Sequence, residues 1–163
     1  MFSFGCNKNT NENELLDCLS FIKPIENSSF LNISKANYDK LNKDYFCINS
    51  IDELATFFDD FEELKNQKLK TLNISFYENM QKYDEKYFEN NSVILLNYHC
   101  YNTYLEVFIS DINYHEYGMD ITLTRKTIGG LADALDSRIF IIETNKAINK
   151  EINVITQSIY YYC

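Results

Sequence analysis

Met119-Asp120-Ile121-Thr122-Leu123-Thr124 alternates apolar and polar side chains without a break, and it follows His115-Glu116-Tyr117-Gly118. Successive strand residues face opposite sides of a sheet, so this period of two predicts a strand over Met119 to Lys126. Gly118 lacks a Cβ and suits the tight turn before it. The stretch Tyr104 to Tyr114, where Leu105, Val107, Ile109 and Ile112 roughly alternate with polar residues, is then the other arm of a hairpin with one solvated face.

Working outward, Ser92 to Tyr98 contains Val93-Ile94-Leu95-Leu96, and Arg138 to Glu143 contains Ile139-Phe140-Ile141-Ile142. Unbroken apolar runs of this length suit strands covered on both faces, and the second suits a central position. Ile152 to Tyr161 is a last candidate strand. Upstream, Tyr45-Phe46-Cys47-Ile48 reads as a strand, and Phe30, Leu31 and Ile33 suggest another.

Ser50-Ile51-Asp52-Glu53 has the spacing of a capping box, in which a serine and a glutamate satisfy amides that a first helical turn leaves unpaired. The predicted helix aligns Leu54, Phe57, Phe58, Phe61 and Leu64 on one face, opposite Asp59, Asp60, Glu62 and Glu63. That acidic face lacks the alternating ligands and glycine of a calcium loop and reads as solvated. Leu15, Leu16, Leu19 and Phe21/Ile22 suggest a short helix over Glu14 to Ile22, stopped by Pro24. Between Leu72 and Asn91 the pattern predicts broken helical turns with aromatic anchors.

These elements define an α+β fold: an antiparallel β-sandwich or open barrel with one main amphipathic helix packed on it. Residues 1–13, with the polar run Asn7 to Glu14, form a flexible tether, and residues 14–163 form a single domain. The 163 residues are 45% hydrophobic, with 13 Tyr and 12 Phe but only four Gly and one Pro, which is enough apolar payload for a core.

A formal net charge of −9 repels phosphate backbones, and no stretch gathers Lys or Arg on one face, so nucleic acid is excluded as an expected partner. No apolar run reaches the ~18 residues of a membrane span. The five Cys have no C-x-x-C pair, so neither a structural metal nor a cofactor is expected. An odd count does not suggest a complete disulfide framework, and the thiols read as buried or half-buried.

Ser3-Phe4-Gly5-Cys6 followed by a polar stretch resembles the cleavage junction of bacterial lipoproteins, in which a small residue precedes the acylated cysteine. The resemblance makes Cys6 the lipid anchor. A second resemblance runs from about Tyr45 to Lys146. It rests on Tyr83-Asp84-Glu85-Lys86-Tyr87-Phe88-Glu89-Asn90-Asn91-Ser92-Val93-Ile94-Leu95-Leu96, the hairpin, a Gly-containing loop, and Ile139-Phe140-Ile141-Ile142-Glu143-Thr144-Asn145-Lys146. Together these resemble small secreted or lipid-anchored bacterial proteins distantly similar to the C-terminal domain of the protease-complex accessory subunit PrcB. In those domains the turn after the first of these strands is Gly-rich, whereas Cys100-Tyr101-Asn102-Thr103 has no Gly.

No catalytic set emerges. His99 and Cys100 are adjacent, and strand neighbours point to opposite faces, so only His115 is left to approach Cys100 across a hairpin. Asp133 and Asp136 read as solvated loop acids. Gly129-Gly130 lacks both the dinucleotide and the P-loop spacing and reads as turn chemistry. The expected function is a non-enzymatic cell-envelope binding or accessory module, with a secreted protease as the process it modulates. Its partner is a protein, met through the loops Cys100, Tyr101, Asn102, Thr103 and Gly129, Gly130, Leu131, Asp133. Membrane contact is expected only through the lipid. The alternative is a soluble intracellular acidic interaction or regulatory protein.

Overall fold

The structure is a computed structural model and describes residues 29–33, 35–69, 74–100, 106–128, 136–145 and 151–161. The tether, Cys6 and the helix expected over Glu14 to Ile22 lie outside them. In chain order the elements are β1 (Ser29–Ile33), α1 (Lys35–Leu41), β2 (Tyr45–Ile48), α2 (Ile51–Asp60), α3 (Phe76–Met80), α4 (Glu85–Asn90), β3 (Asn91–Cys100), β4 (Glu106–His115), β5 (Gly118–Ile128), β6 (Asp136–Asn145) and β7 (Glu151–Tyr161). The class is α+β, with two sheets, neither closed on itself, ordered β1-β6-β3-β2 and β4-β5-β7. The sequence draws no boundary within 14–163, yet the chain clusters into two compact units. One holds β4, β5 and β7; the other holds the remaining described elements.

In the four-stranded unit, β6 is central, as its apolar run predicts, and pairs antiparallel with β1 and β3. Val93, Leu95, Ile139 and Ile141 on one face join a core with Leu54, Phe57 and Phe58 of α2, Phe76 and Met80 of α3, and Phe88 of α4. The amphipathic helix beginning after Ser50 therefore covers this sheet, with two shorter helices beside it. Ile94, Leu96, Phe140 and Ile142 alternate with these residues and are buried too.

Helix α2 stops at Asp60, and a 3₁₀ turn over Glu62–Leu64 carries Leu64 into the core. Phe61 makes edge and tilted ring contacts with Phe46 and Phe57 at 5.5 and 5.0 Å. The Ser50 cap forms as expected on one side, the Glu53 amide donating to Ser50 Oγ at 3.1 Å. The reciprocal arm is displaced by one residue, since Glu53 Oε2 accepts from the Asn49 amide at 2.7 Å. The fully reciprocal box sits at α3: Glu78 N donates to Ser75 Oγ and Ser75 N donates to Glu78 Oε2, at 3.1 and 2.8 Å.

In the three-stranded unit, β4 and β5 form the expected hairpin, and Met119, Ile121 and Leu123 are buried with Val107 and Ile109. The polar face is not wholly solvated. Ser110 is the extra residue of a bulge between Ile109 and Asp111. Its hydroxyl accepts from Thr124 Oγ1 at 2.7 Å, and Gln157 Nε2 donates to Thr124 Oγ1 at 2.6 Å, so fully buried Thr124 is satisfied by hydrogen bonds spanning all three strands. Among the described residues every strand pairing is antiparallel except one: β7 runs parallel to β5 over eleven register pairs. The chain passes through β6 in the other unit between them, and that long crossover is what a parallel neighbour requires.

Candidate binding surface

The expected partner loops attach at one end of the β3–β6 ladder. Cys100, the last residue of β3, is the register partner of Asp136, the first of β6. The segment leaving β3 and the segment entering β6 therefore share one end of the sheet. Tyr101, Asn102, Thr103, Gly129, Gly130, Leu131 and Asp133 lie outside the described residues, so the described part of the surface is the ladder end that carries them.

That end is polar, as is the opposite end at Asn91–Asn145 and Ser92–Thr144, while the rungs from Ile94–Ile142 to Leu96–Phe140 between them are apolar. On the rung next to Cys100 and Asp136, His99 faces Ser137, with His99 Nδ1 2.7 Å from Ser137 Oγ. On the following rung Tyr98 faces Arg138, whose guanidinium stacks 4.7 Å over the Phe30 ring. Phe30 also packs against Phe140 at 5.7 Å. Arg138 is 7% exposed, and Arg stacks on aromatic rings more readily than Lys because its planar cation is weakly hydrated. The ring contact and the cross-strand pairing hold this positive charge under the loop attachments.

Ser137 is buried at 4% exposure, so its hydroxyl meets the imidazole inside the sheet. The pair acts as a cross-strand tie. His115 is committed within its own hairpin, where Nδ1 accepts from the Tyr117 amide at 3.3 Å and Nε2 lies 3.6 Å from Asp120. Burial, and then the charge of Glu53, pushes the Cys47 thiol up, opposite to what a thiolate nucleophile needs. Among the described residues no group of three or more His, Cys, Asp or Glu is arranged to hold a metal ion.

A second polar cluster joins the α3–α4 connection to β6. Tyr83 Oη and Lys82 Nζ both donate to Glu143 Oε1, at 2.9 and 2.7 Å. Lys82 also lies 4.8 Å over the Tyr83 ring, which packs 4.7 Å from Tyr87. Partial burial alone would raise the Glu143 carboxyl, but the hydrogen bonds from Lys82 and Tyr83 outweigh it and hold the group below the usual carboxylate range. Burial pushes the Tyr83 hydroxyl far up, helped by its hydrogen bond to Glu143. The Tyr87 hydroxyl is pushed up to about 12 by burial and by the Glu143 charge. Both phenols therefore remain donors at neutral pH. Sequence reasoning quoted both partners without joining them, because 60 residues separate Tyr83 from Glu143.

A shallow depression of about 340 Å³ is lined by Asp39, Asn42, Lys43 and Asp44. Asn42 adopts a positive φ of 47°, which Asn tolerates better than most residues. Beneath it, the buried Asn97 side chain donates to the Lys43 carbonyl, and the Asn97 amide donates to the Asp44 carbonyl. No sequence signal singled out this turn. Its bonds secure the α1–β2 connection to β3.

No protein-family model, curated protein or solved structure matches the chain. The fold and the site together define a two-sheet α+β protein in which Tyr83–Glu143, His99–Ser137 and Gln157–Thr124 tie separate elements together.

Proposed function

We propose that the chain is a non-enzymatic binding or accessory module of the bacterial cell envelope, held there by lipid on Cys6. It engages a protein partner through the loops Cys100 to Thr103 and Thr127 to Asp136, and a secreted protease is the process it modulates. The observation that supports this reading is the Cys100–Asp136 rung, which attaches both candidate loops to one end of a rigid, buried ladder. Rigid strands that present adjacent loops suit recognition without chemistry. The two segments that carry the PrcB-like resemblance are also neighbours, paired along β3 and β6 and joined by Tyr83 and Glu143.

Metabolic labelling of the native host with an alkyne fatty acid tests the anchor. The wild-type chain is expected in the envelope fraction and labelled, whereas Cys6→Ser is expected unlabelled. A wild-type chain found unlabelled and only in the cytosol overturns the envelope reading. A photo-crosslinking residue at position 101 or 131 is expected to capture a protein, while one at exposed Asp59 on α2 is not. Equal capture from all three positions removes the loop assignment.

A further inference from the structure

The chain does not finish one unit before it begins the other. β3 belongs to the four-stranded unit, β4 and β5 to the three-stranded unit, β6 to the first again and β7 to the second again. β3 and β6 pair over ten rungs, from Asn91–Asn145 to Cys100–Asp136, so they are the outer arms of a hairpin. The β4–β5 hairpin is inserted whole inside it, from the Glu106–Lys126 pair to His115–Gly118. At the base of this inner hairpin Lys126 Nζ lies 3.0 Å from Glu106 Oε2 and 4.7 Å over the Phe108 ring. Two hairpins nested in this way share one stretch of chain, so each sets the loop that the other must close.

We propose that this nesting is a conformational coupling between the two units: the folded β4–β5 hairpin stabilises the β3–β6 ladder, and the ladder stabilises the hairpin in equal measure. With the inner hairpin unfolded, bringing Cys100 to Asp136 closes a loop of about 35 residues; with it folded, the Glu106–Lys126 pair is a shortcut and about 14 remain. The probability of closure falls as roughly the −3/2 power of loop length, so the shortcut favours the ladder about fourfold. The β5–β7 register adds a second tie of the same sign, because it draws Gly118 to Glu151 and β6 lies on the chain between them. About fourfold is therefore the lower bound. Linkage makes the effect reciprocal, so a ligand that stabilises either unit protects the other by the same factor. The coupling requires only the order of the strands along the chain, and it holds whatever the partner of the loops proposed above.

Native-state hydrogen exchange of the full chain, read by mass spectrometry at Ile139–Ile142, measures how often the ladder opens. Met119→Asp with Ile121→Asp puts two carboxylates at fully buried positions of β5 and is expected to unfold the three-stranded unit. Ladder opening is then expected to rise at least about fourfold, and opening equal to the wild type overturns the proposal. A second arm separates chain closure from every other effect of the lost unit. Glu106→Cys with Lys126→Cys, added to that variant and oxidised, restores the shortcut without the hairpin. Exchange at Ile139–Ile142 is expected to be about fourfold slower in the oxidised than in the reduced form, with the 106–126 disulfide identified by peptide mass spectrometry. Equal exchange in the two forms overturns the proposal. Where the double aspartate variant unfolds both units, an otherwise wild-type chain decides. Inserting about 14 Gly and Ser residues between Asn102 and Thr103 doubles the short loop and is expected to raise ladder opening about threefold, and unchanged opening overturns the coupling.

Discussion

Gly118 sits where β5 begins and where β7 comes alongside, and its φ is +159°. A Cβ there would collide with the Glu151 backbone carbonyl, so both the conformation and the space require glycine. Gly118→Ala is expected to cost about 2 kcal/mol through forced separation of β5 from β7, measured by urea unfolding. Tyr83 makes a different kind of contribution. Its ring is in the core and its hydroxyl reaches half-exposed Glu143, so Tyr83→Phe keeps the packing and loses the tie, at about 1 kcal/mol. The Glu143 carboxyl is held low by Lys82 and Tyr83, so it stabilises the fold above its unfolded-state pKa, and that contribution is lost as pH falls through the folded value. Glu143→Gln is therefore expected to cost no more than about 1 kcal/mol at pH 7, discounted for solvent screening, and to converge with the wild type in acid. A gap between the two curves that widens toward low pH would reverse this assignment.

At the scale of the element, the strands were legible because period two and apolar runs are local properties. β2, β3, β5, β6 and β7 all lie where those patterns place them. α2 was legible for the same reason, through Ser50 and the Leu54, Phe57, Phe58 stripe. The better cap was overlooked, although Ser75-Phe76-Tyr77-Glu78 has the same serine-to-glutamate spacing as Ser50 to Glu53. Its helix is only five residues, too short for an apolar stripe to draw attention to it. Ser75→Ala removes one arm of a two-armed cap and is expected to cost about 1 kcal/mol, with faster amide exchange confined to Phe76–Met80. Retained protection across α3 in that variant would show that core burial of Phe76 and Met80 alone holds the helix. Strand partners were less legible than strands. Nothing in Ile152 to Tyr161 announces a parallel neighbour, because pairing direction is set by the path of the chain between strands. The loop before Asp136 was visible as turn chemistry at Gly129-Gly130 and the one at Cys100 only as the gap between two strands, but only the register of β3 against β6 shows that they attach together.

For the whole molecule, β3 and β6 each have a partner on both sides and are buried on both faces. Hydrogen exchange is expected to be slowest at Val93–Leu96 and Ile139–Ile142, the segments whose opening requires the four-stranded sheet to break. Exchange there as fast as in β1 would mean that the sheet opens from its middle. The parallel pairing of β5 with β7 also imposes an order of events during synthesis. The β4–β5 hairpin leaves the ribosome with one flank bare and stays so until the chain has passed through β6 and β7 has emerged. Ribosomal stalling or proteolytic loss before residue 151 therefore leaves a hairpin that cannot be completed from its own polypeptide, the kind of species that quality-control chaperones and proteases recognise.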